Sequence, residues 1–484
     1  IAKRYHDAEL DGVATDNDWT YLTYMNAYTE NIGYSITGDD SGFGYQDPGE
    51  PVIFGAYVQD KIELEDMIVN LGIRFDFFDS KNQGAKDWTN VWLDDGYVDY
   101  NPQQTYKDEV IAADGEAAFQ AGLDDPNSEI YEEYMSRESG KFVDVDSESY
   151  FSPRIGFSFP VTDQTKLHAQ YGKYTQHPVL NRLYLADSRL AANFTQGNQT
   201  VSPNPNLKPE RTTQYEVGLT QQIGAFAALD ITGFFKEIRD FTTMTNHEDG
   251  MRNGSPFVWA QYENGDFGIV KGVSLNLNMR RVNGLMANVS YTLSFAEGTG
   301  SDPLANWNIT WTGDTYPTLT NPLNYDQRHT GSMMLDYRLG EDGGLLSNSG
   351  LNLLFTFGSG TAYTPSEIQS DVYGAGWYRP TSSVNSAYSE WVSNLDLKLD
   401  RDFFMGDYNF NVYLQVTNLL DSDNVDNVFE STGDEASDGW LATPEGKIWA
   451  NSNPESVQFY NAQLRDPRNW NDPRMVRFGV NFEL

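Results

Sequence analysis

Chemistry in this chain of 484 residues would have to come from carboxylates, aromatics or five histidines, because it contains no cysteine. His6, His168, His177, His247 and His329 are scattered, and none stands at a zinc-ligand spacing or beside a nucleophile motif. No catalytic constellation is legible, so an enzyme is not the expected class. Without cysteine there is neither a disulfide framework nor a thiolate metal site.

The carboxylates carry more information. Segment 79–149 holds 18 Asp/Glu against 5 Lys/Arg, and segment 420–473 holds 11 against 3. Their combined net of −21 is more than half of the chain's formal charge of −38. Clustered carboxylates concentrate cations, and Ca²⁺, which takes six to eight oxygens, is the ion they would collect. The candidate ligands are Asp421, Asp423 and Asp426, and separately Asp144, Asp146 and Glu148. Neither set has the glycine and terminal glutamate of an EF loop. The competing and plainer explanation is that acidic loops keep a surface solvated. The same charge excludes nucleic acid as a partner, since phosphate binding needs clustered Lys and Arg.

Aromatics crowd the same connecting segments. Trp307, Trp311, Tyr373, Trp377, Tyr378 and Trp440 are the candidate substrate contacts, because Trp and Tyr supply large, rigid contact area. Loop packing or an interfacial girdle at a membrane edge are the alternatives.

The elements that must position these loops show in the hydrophobic period. Val273, Leu275, Leu277 and Met279 alternate with Ser274, Asn276, Asn278 and Arg280. After a turn at Arg281–Gly284, Leu285, Ala287, Val289, Tyr291 and Leu293 alternate with Met286, Asn288, Ser290, Thr292 and Ser294. Residues two apart on a strand share a face, so each arm is apolar on one side and hydrogen-bonding on the other. A membrane barrel needs that pattern, apolar towards lipid and polar towards a wet lumen. Asn276, Asn278 and Asn288 are therefore expected in the lumen, with Leu275, Leu277, Val289 and Tyr291 against lipid. No run approaches 18 apolar residues, which excludes helical spans. A mean hydropathy of −0.55 is compatible with a barrel, because only alternate strand residues meet lipid.

The period recurs at Ile53–Leu64, Met67–Phe78, Phe151–Phe159, Lys166–Tyr174, Arg211–Ile223, Phe226–Arg239, Arg328–Arg338, Gly350–Gly360, Ser393–Asp402, Tyr408–Leu419 and Met475–Leu484. On the second of these Arg74 and Asp76 alternate onto the lumen side, as does Glu216 further on. With a possible first strand at Trp19–Tyr34, the count is about fourteen, after an irregular lead-in at 1–18. Short turns fall near residues 65, 162, 224, 282, 343 and 405. Long connections fall at 79–149, 177–210, 240–266, 298–325, 361–390 and 420–473. Short turns on one rim and long loops on the other are how outer-membrane barrels are built. Glu129–Arg137 reads as a short helix inside the first long loop. The chain starts at Ile1 with no signal segment, so a processed protein or a piece of a longer one is expected.

Several stretches resemble the C-terminal half of TonB-dependent outer-membrane receptors. The most specific is Asn204-Pro-Asn-Leu-Lys-Pro-Glu210, followed by Tyr215-Glu-Val-Gly218. Others, in family order, are Ala56-Tyr-Val-Gln-Asp60, Asn70-Leu-Gly-Ile-Arg-Phe-Asp76, Ser152-Pro-Arg-Ile-Gly156 and Tyr171-Gly-Lys-Tyr174. Val270-Lys-Gly-Val273, Asp326-Gln-Arg-His329, Val416-Thr-Asn-Leu-Leu-Asp421 and Pro473–Phe482 complete the series. The flavour is most similar to the Oar-like group, which carries a carboxypeptidase-regulatory-like domain upstream. The resemblance implies an all-β transmembrane antiparallel barrel over 19–484, the C-terminal portion of 22 strands, in the outer membrane of a Gram-negative-type bacterium. It implies import of a scarce substrate (an iron chelate, oligosaccharide, peptide or similar). The expected partners are outer-membrane lipid and lipopolysaccharide, an extracellular substrate, and the TonB complex through an N-terminal segment not in this chain. No cofactor is implied beyond Ca²⁺ in the loops. Two features depart from the family: no plug or TonB box stands in the chain, and the end is Phe482-Glu483-Leu484 rather than a terminal aromatic. The rival expectations are a passive fourteen-stranded channel and a structural or secretion-associated barrel that binds a protein partner. A complete fourteen-stranded barrel needs Trp19–Tyr34 to pair with Met475–Leu484, because an open sheet edge cannot stand in lipid.

Overall fold

A computed structural model describes residues 50–85, 102–125, 128–131, 142–184, 201–252, 255–305, 319–370, 376–406 and 408–483. The lead-in and the possible strand at Trp19–Tyr34 lie outside the described residues. Thirteen strands follow one another in chain order through a single antiparallel sheet. They are β1 (Val52–Leu64), β2 (Met67–Asp79), β3 (Glu148–Thr162), β4 (Thr165–Gln176) and β5 (Glu210–Ile223). Next come β6 (Ala227–Arg252), β7 (Ser255–Val282), β8 (Leu285–Gly298) and β9 (His329–Arg338). The last are β10 (Ser349–Gly358), β11 (Val392–Met405), β12 (Tyr408–Thr417) and β13 (Met475–Glu483). Along this path every neighbour is the next of the thirteen, an up-and-down meander, while Val201–Ser202 joins Ala260–Gln261 in parallel and Asn321–Pro322 joins Glu297–Gly298. Among the described residues β1 pairs only with β2 and β13 only with β12.

The β7–β8 turn shows how sequence sets register. Asn283 and Gly284 both have positive φ, 50° and 85°. Asn-Gly tolerates this left-handed pair, and it gives a tight turn whose twist matches the strands. Leu275 then stands opposite Tyr291, Leu277 opposite Val289, and Asn278 opposite Asn288. Leu277 also pairs with Leu229 of β6. One face is thus apolar and the next polar from strand to strand, because a slip of one residue would exchange them.

Exposure says which way the sheet is turned. On the apolar face Phe151, Val217, Val476 and Phe478 are exposed by 59% or more. On the polar face Asp76, Ser152, Asp336 and Asp400 are buried. A soluble sandwich would reverse both. Polar groups crowded together behind an exposed apolar surface are what a sheet curled towards its polar side gives, with the outer surface left for lipid. Aromatic rings cluster at both ends of that outer surface. The cluster nearer the long loops includes Tyr171 and Tyr215, with ring centroids 5.2 Å apart, and Tyr215 with Phe235 at 6.4 Å. It also includes His329 against Trp391 at 5.3 Å. The cluster nearer the short turns includes Tyr408, Phe410 and Phe482.

The long connections hold more regular structure than the sequence reading gave them. Segment 240–266 continues β6 and β7 as a hairpin rising past the rim, with irregular register near Asp266. The first loop contains α1 (Pro102–Asp114) and α2 (Glu116–Asp124). Residues 129–131 are helical as expected, while 132–141 lie outside the described residues. The last loop contains α3 (Pro444–Ser452) and α4 (Pro454–Leu464), each opened by a proline in the first turn. The Thr443 hydroxyl caps α3 by accepting from the Gly446 N–H at 3.0 Å. Proline costs nothing there because that N–H has no helical partner.

Candidate functional site

The polar groups of the described residues gather on the inner wall and on the loop-bearing rim. On the wall, Arg74 Nε donates to Asp76 Oδ1 at 2.8 Å. Gly55 faces this pair across the ladder, and a Cβ there would stand 2.6 Å from the guanidinium, so only glycine leaves the arginine its place. Glu216 accepts a bond from Gln214. Asn276 lies between Asp230 and Ser290, and Asn278 beside Asn288. Asp230 accepts from Thr220 and Thr232, each at 2.8 Å, and His168 stands 3.1 Å from the same Thr232 hydroxyl. All six polar-face residues expected from the sequence therefore share one face, but they spread along the wall and do not converge. An uncharged groove of about 450 Å³ on that face is lined by Ser290, Thr292, Gln327, Thr330, Thr356 and Asn394.

The densest ionic cluster of the wall was not foreseen. Near the short turns Asp336 receives Arg281, Arg338 at 3.3 Å and Asn352 at 3.3 Å. Arg338 also reaches Asp400, to which Asn411 donates at 3.4 Å. The cluster links β7, β9, β10, β11 and β12. In sequence only Asp336 and Arg338 are near one another, and the register brings the other members to them.

At the outer rim the quoted motifs act as fasteners. Asp326 is 1% exposed and accepts from the Ala296 N–H at 2.8 Å and the Tyr388 hydroxyl at 2.7 Å. The Arg328 guanidinium lies 4.7 Å over the Tyr388 ring and 5.2 Å over Phe295. Burial, and then the bond to Asp326, push the Tyr388 phenol up to about 12. Gln327 donates to the Ser359 carbonyl at 2.7 Å, and His329 Nδ1 stands 2.8 Å from the Tyr291 hydroxyl. The Asn204–Glu210 motif is a strap. Leu207 packs with Phe78 and Leu183, Asn204 donates to the Tyr262 carbonyl, and Asn264 holds both the N–H and the carbonyl of Lys208.

The proposed calcium ligands are placed but not gathered. Asp421 accepts from the Arg474 N–H at 3.1 Å and its guanidinium at 3.0 Å, so it latches the turn before β13. Asp423, Asp426, Asp144 and Asp146 are exposed, and Glu148 accepts from Tyr150. Among the described residues no three His, Asp or Glu side chains are arranged to hold a metal ion. The aromatic candidates fare unevenly. Trp440 packs against Trp449 at 5.3 Å and Tyr460 at 5.2 Å, as the centre of a small cluster that joins α3 to α4. Trp377 and Tyr378 lie on strand Gly376–Pro380, paired with Ser366–Ser370. Trp307, Trp311 and Tyr373 lie outside the described residues.

The family model described as TonB dependent receptor-like, beta-barrel matches residues 4–419. This chain belongs to that family. The receptor barrel is similar in structure to the ferric-catecholate import receptor Fiu from K12 E. coli, at 14% identity and a TM-score of 0.43, over 79% of this chain and 42% of that one. It is also similar to the FrpB iron transporter from Neisseria meningitidis, at 15% and 0.44, over 77% and 42%. A third is the Serratia marcescens hemophore receptor HasR in complex with HasA and heme, at 16% and 0.46, over 79% and 50%. The receptor barrel thus spans half or less of the length of these chains. No curated protein matches it.

Proposed function

We propose that this chain forms the C-terminal wall and outer loops of a TonB-coupled transporter in the outer membrane, which imports a scarce extracellular substrate. The family assignment supports the reading, and the observation that carries it is the course of the sheet. Among the described residues thirteen strands run from β1 to β13 without β1 meeting β13, and an unpaired backbone edge is untenable in hydrocarbon. Further strands between those edges are what a 22-stranded receptor would supply. In that receptor the wall that carries Arg74, Asp76, Glu216, Asn276, Asn278 and Asn288 faces a plug. The rim loops then capture the substrate, with Trp307, Trp311, Tyr373, Trp377 and Tyr378 as candidate contacts. Trp440, packed against Trp449 and Tyr460, is a further candidate. The substrate class stays broad: an iron chelate, an oligosaccharide, a peptide or a similar scarce nutrient.

Conductance of the full-length protein in a planar bilayer tests the reading against a passive channel. A plugged receptor holds the membrane closed until moderate urea loosens the plug, after which large steps appear. Steady conductance without urea would favour the passive channel.

A further inference from the structure

Among the described residues of the outer surface, Arg401 is a cation in an unusual setting. Arg401 of β11 stands opposite Ser349 of β10 and Val412 of β12, and Val412 stands opposite Val480 of β13. Its face on β11 continues as Leu399, Leu397 and Leu395, which is the apolar face. Asp400 and Asp402, its chain neighbours, point the other way, to Arg338 and Asn411. Among the described residues no carboxylate pairs with Arg401, and its Nε is buried with no hydrogen-bond partner. The guanidinium lies 4.8 Å from the centre of the Phe403 ring, towards the short-turn rim. Beside it opens a hollow of about 540 Å³, lined by Ser347, Asn348, Phe410, Val412 and Val480, with Asp402, whose carboxylate accepts from Asn411, also in its lining.

An unpaired cation on a membrane face needs a counter-charge, because desolvating it alone is costly. At this depth, level with the lower aromatic cluster, the bilayer itself supplies phosphates. We propose that Arg401 and the adjoining hollow bind the phosphate of an anionic glycerophospholipid in the periplasmic leaflet. The guanidinium fork takes the phosphate oxygens. The Ser347 and Asn348 side are the polar end for the glycerol, and Phe410, Val412 and Val480 are a floor for the first acyl carbons. The site rests on the membrane-barrel reading above.

The test uses the full-length receptor, stripped of lipid in detergent and supplied with phosphatidylglycerol or phosphatidylcholine. Bound lipid is counted by native mass spectrometry and thermal stability is followed in parallel. Wild type is expected to retain phosphatidylglycerol in preference to phosphatidylcholine and to melt higher with it. Arg401→Gln should lower that retention about tenfold, the size of one charge-assisted contact, while Arg401→Lys keeps most of it. Glycerol phosphate without acyl chains should not compete at millimolar level; equal competition would overturn a lipid site in favour of a plain anion site. Equal retention of phosphatidylglycerol by wild type and Arg401→Gln would also overturn the proposal. If Arg401→Gln does not fold, equal melting of wild type in the two lipids overturns it instead. Loss of structure in both lipids alike would count against the membrane reading itself.

Discussion

Leu277 stands on the apolar face between Leu229 and Val289, while its chain neighbour Asn276 stands on the polar face. An arginine at a lipid-facing strand position near the bilayer midplane costs about 2–4 kcal/mol. Leu277→Arg should therefore destabilise the protein by that amount in phospholipid vesicles. Asn276→Arg, one residue away, should cost far less, because its side chain reaches water. Urea unfolding of the two variants measures the difference, and equal costs would mean the faces are wrongly assigned. At the rim, Tyr388→Phe removes one donor from buried Asp326 and should loosen the 319–328 and 387–388 connections by about 1 kcal/mol. The phenol is pushed up to about 12, first by burial and then by the bond to Asp326. A raised acid pKa means the protonated form is favoured by folding. That contribution is complete below the unfolded value near 10 and is lost as pH rises through about 12. Proteolysis of the rim loops should therefore quicken between those pH values in wild type and show no such step in the phenylalanine variant.

Among the elements, the strap from Asn204 to Glu210 and the raised β6–β7 hairpin hold one another. The Asn264 side chain makes three bonds of 2.8–2.9 Å, two to Lys208 and one to the Asp240 carbonyl. Asn264→Ala should free the strap at about 1 kcal/mol per lost bond, and Leu207→Ala should cost about 2–5 kcal/mol of local packing. Hydrogen exchange over 203–210 reads both, with the short-turn rim unaffected. Unchanged protection there would show that the strap is held by something else. This element also marks what the sequence could and could not say. Strands were legible because alternation such as Val273–Arg280 repeats every two residues, and all thirteen strands of the meander overlap an alternating stretch. The hairpin above the rim was not, because its buried positions mix polar Thr242, Thr243 and Gln261 with apolar Met244 and Ala260, so apolar and polar residues do not alternate. The helices α3 and α4 announce themselves only by Thr443-Pro444-Glu445 and Asn453-Pro454-Glu455, a capping residue followed by proline and an acid. The Arg281–Asp336–Arg338–Asp400 cluster depends on pairing between distant strands, so single-strand periodicity does not contain it. Arg401 stands out only once its neighbours are known to be apolar.

For the whole molecule, what distinguishes a portion of a receptor from a finished channel is how far apart its end strands lie. Strands neighbour each other at about 4.8 Å. In a fourteen-stranded barrel closed through one further strand, β1 and β13 would be two spacings apart, about 10 Å. In a 22-stranded barrel tilted at about 40°, nine strands intervene and the chord across the lumen is roughly 40 Å. The chain has no cysteine of its own, so two spin labels can be placed in it without a competing thiol from these 484 residues. Labels at Val58→Cys on β1 and Phe478→Cys on β13, both exposed on the outer face, allow the distance to be read by pulsed electron resonance in the full-length protein in membranes. A distance near 40 Å is the result expected of the receptor barrel; a distance near 10 Å would contradict it and make the chain a closed channel.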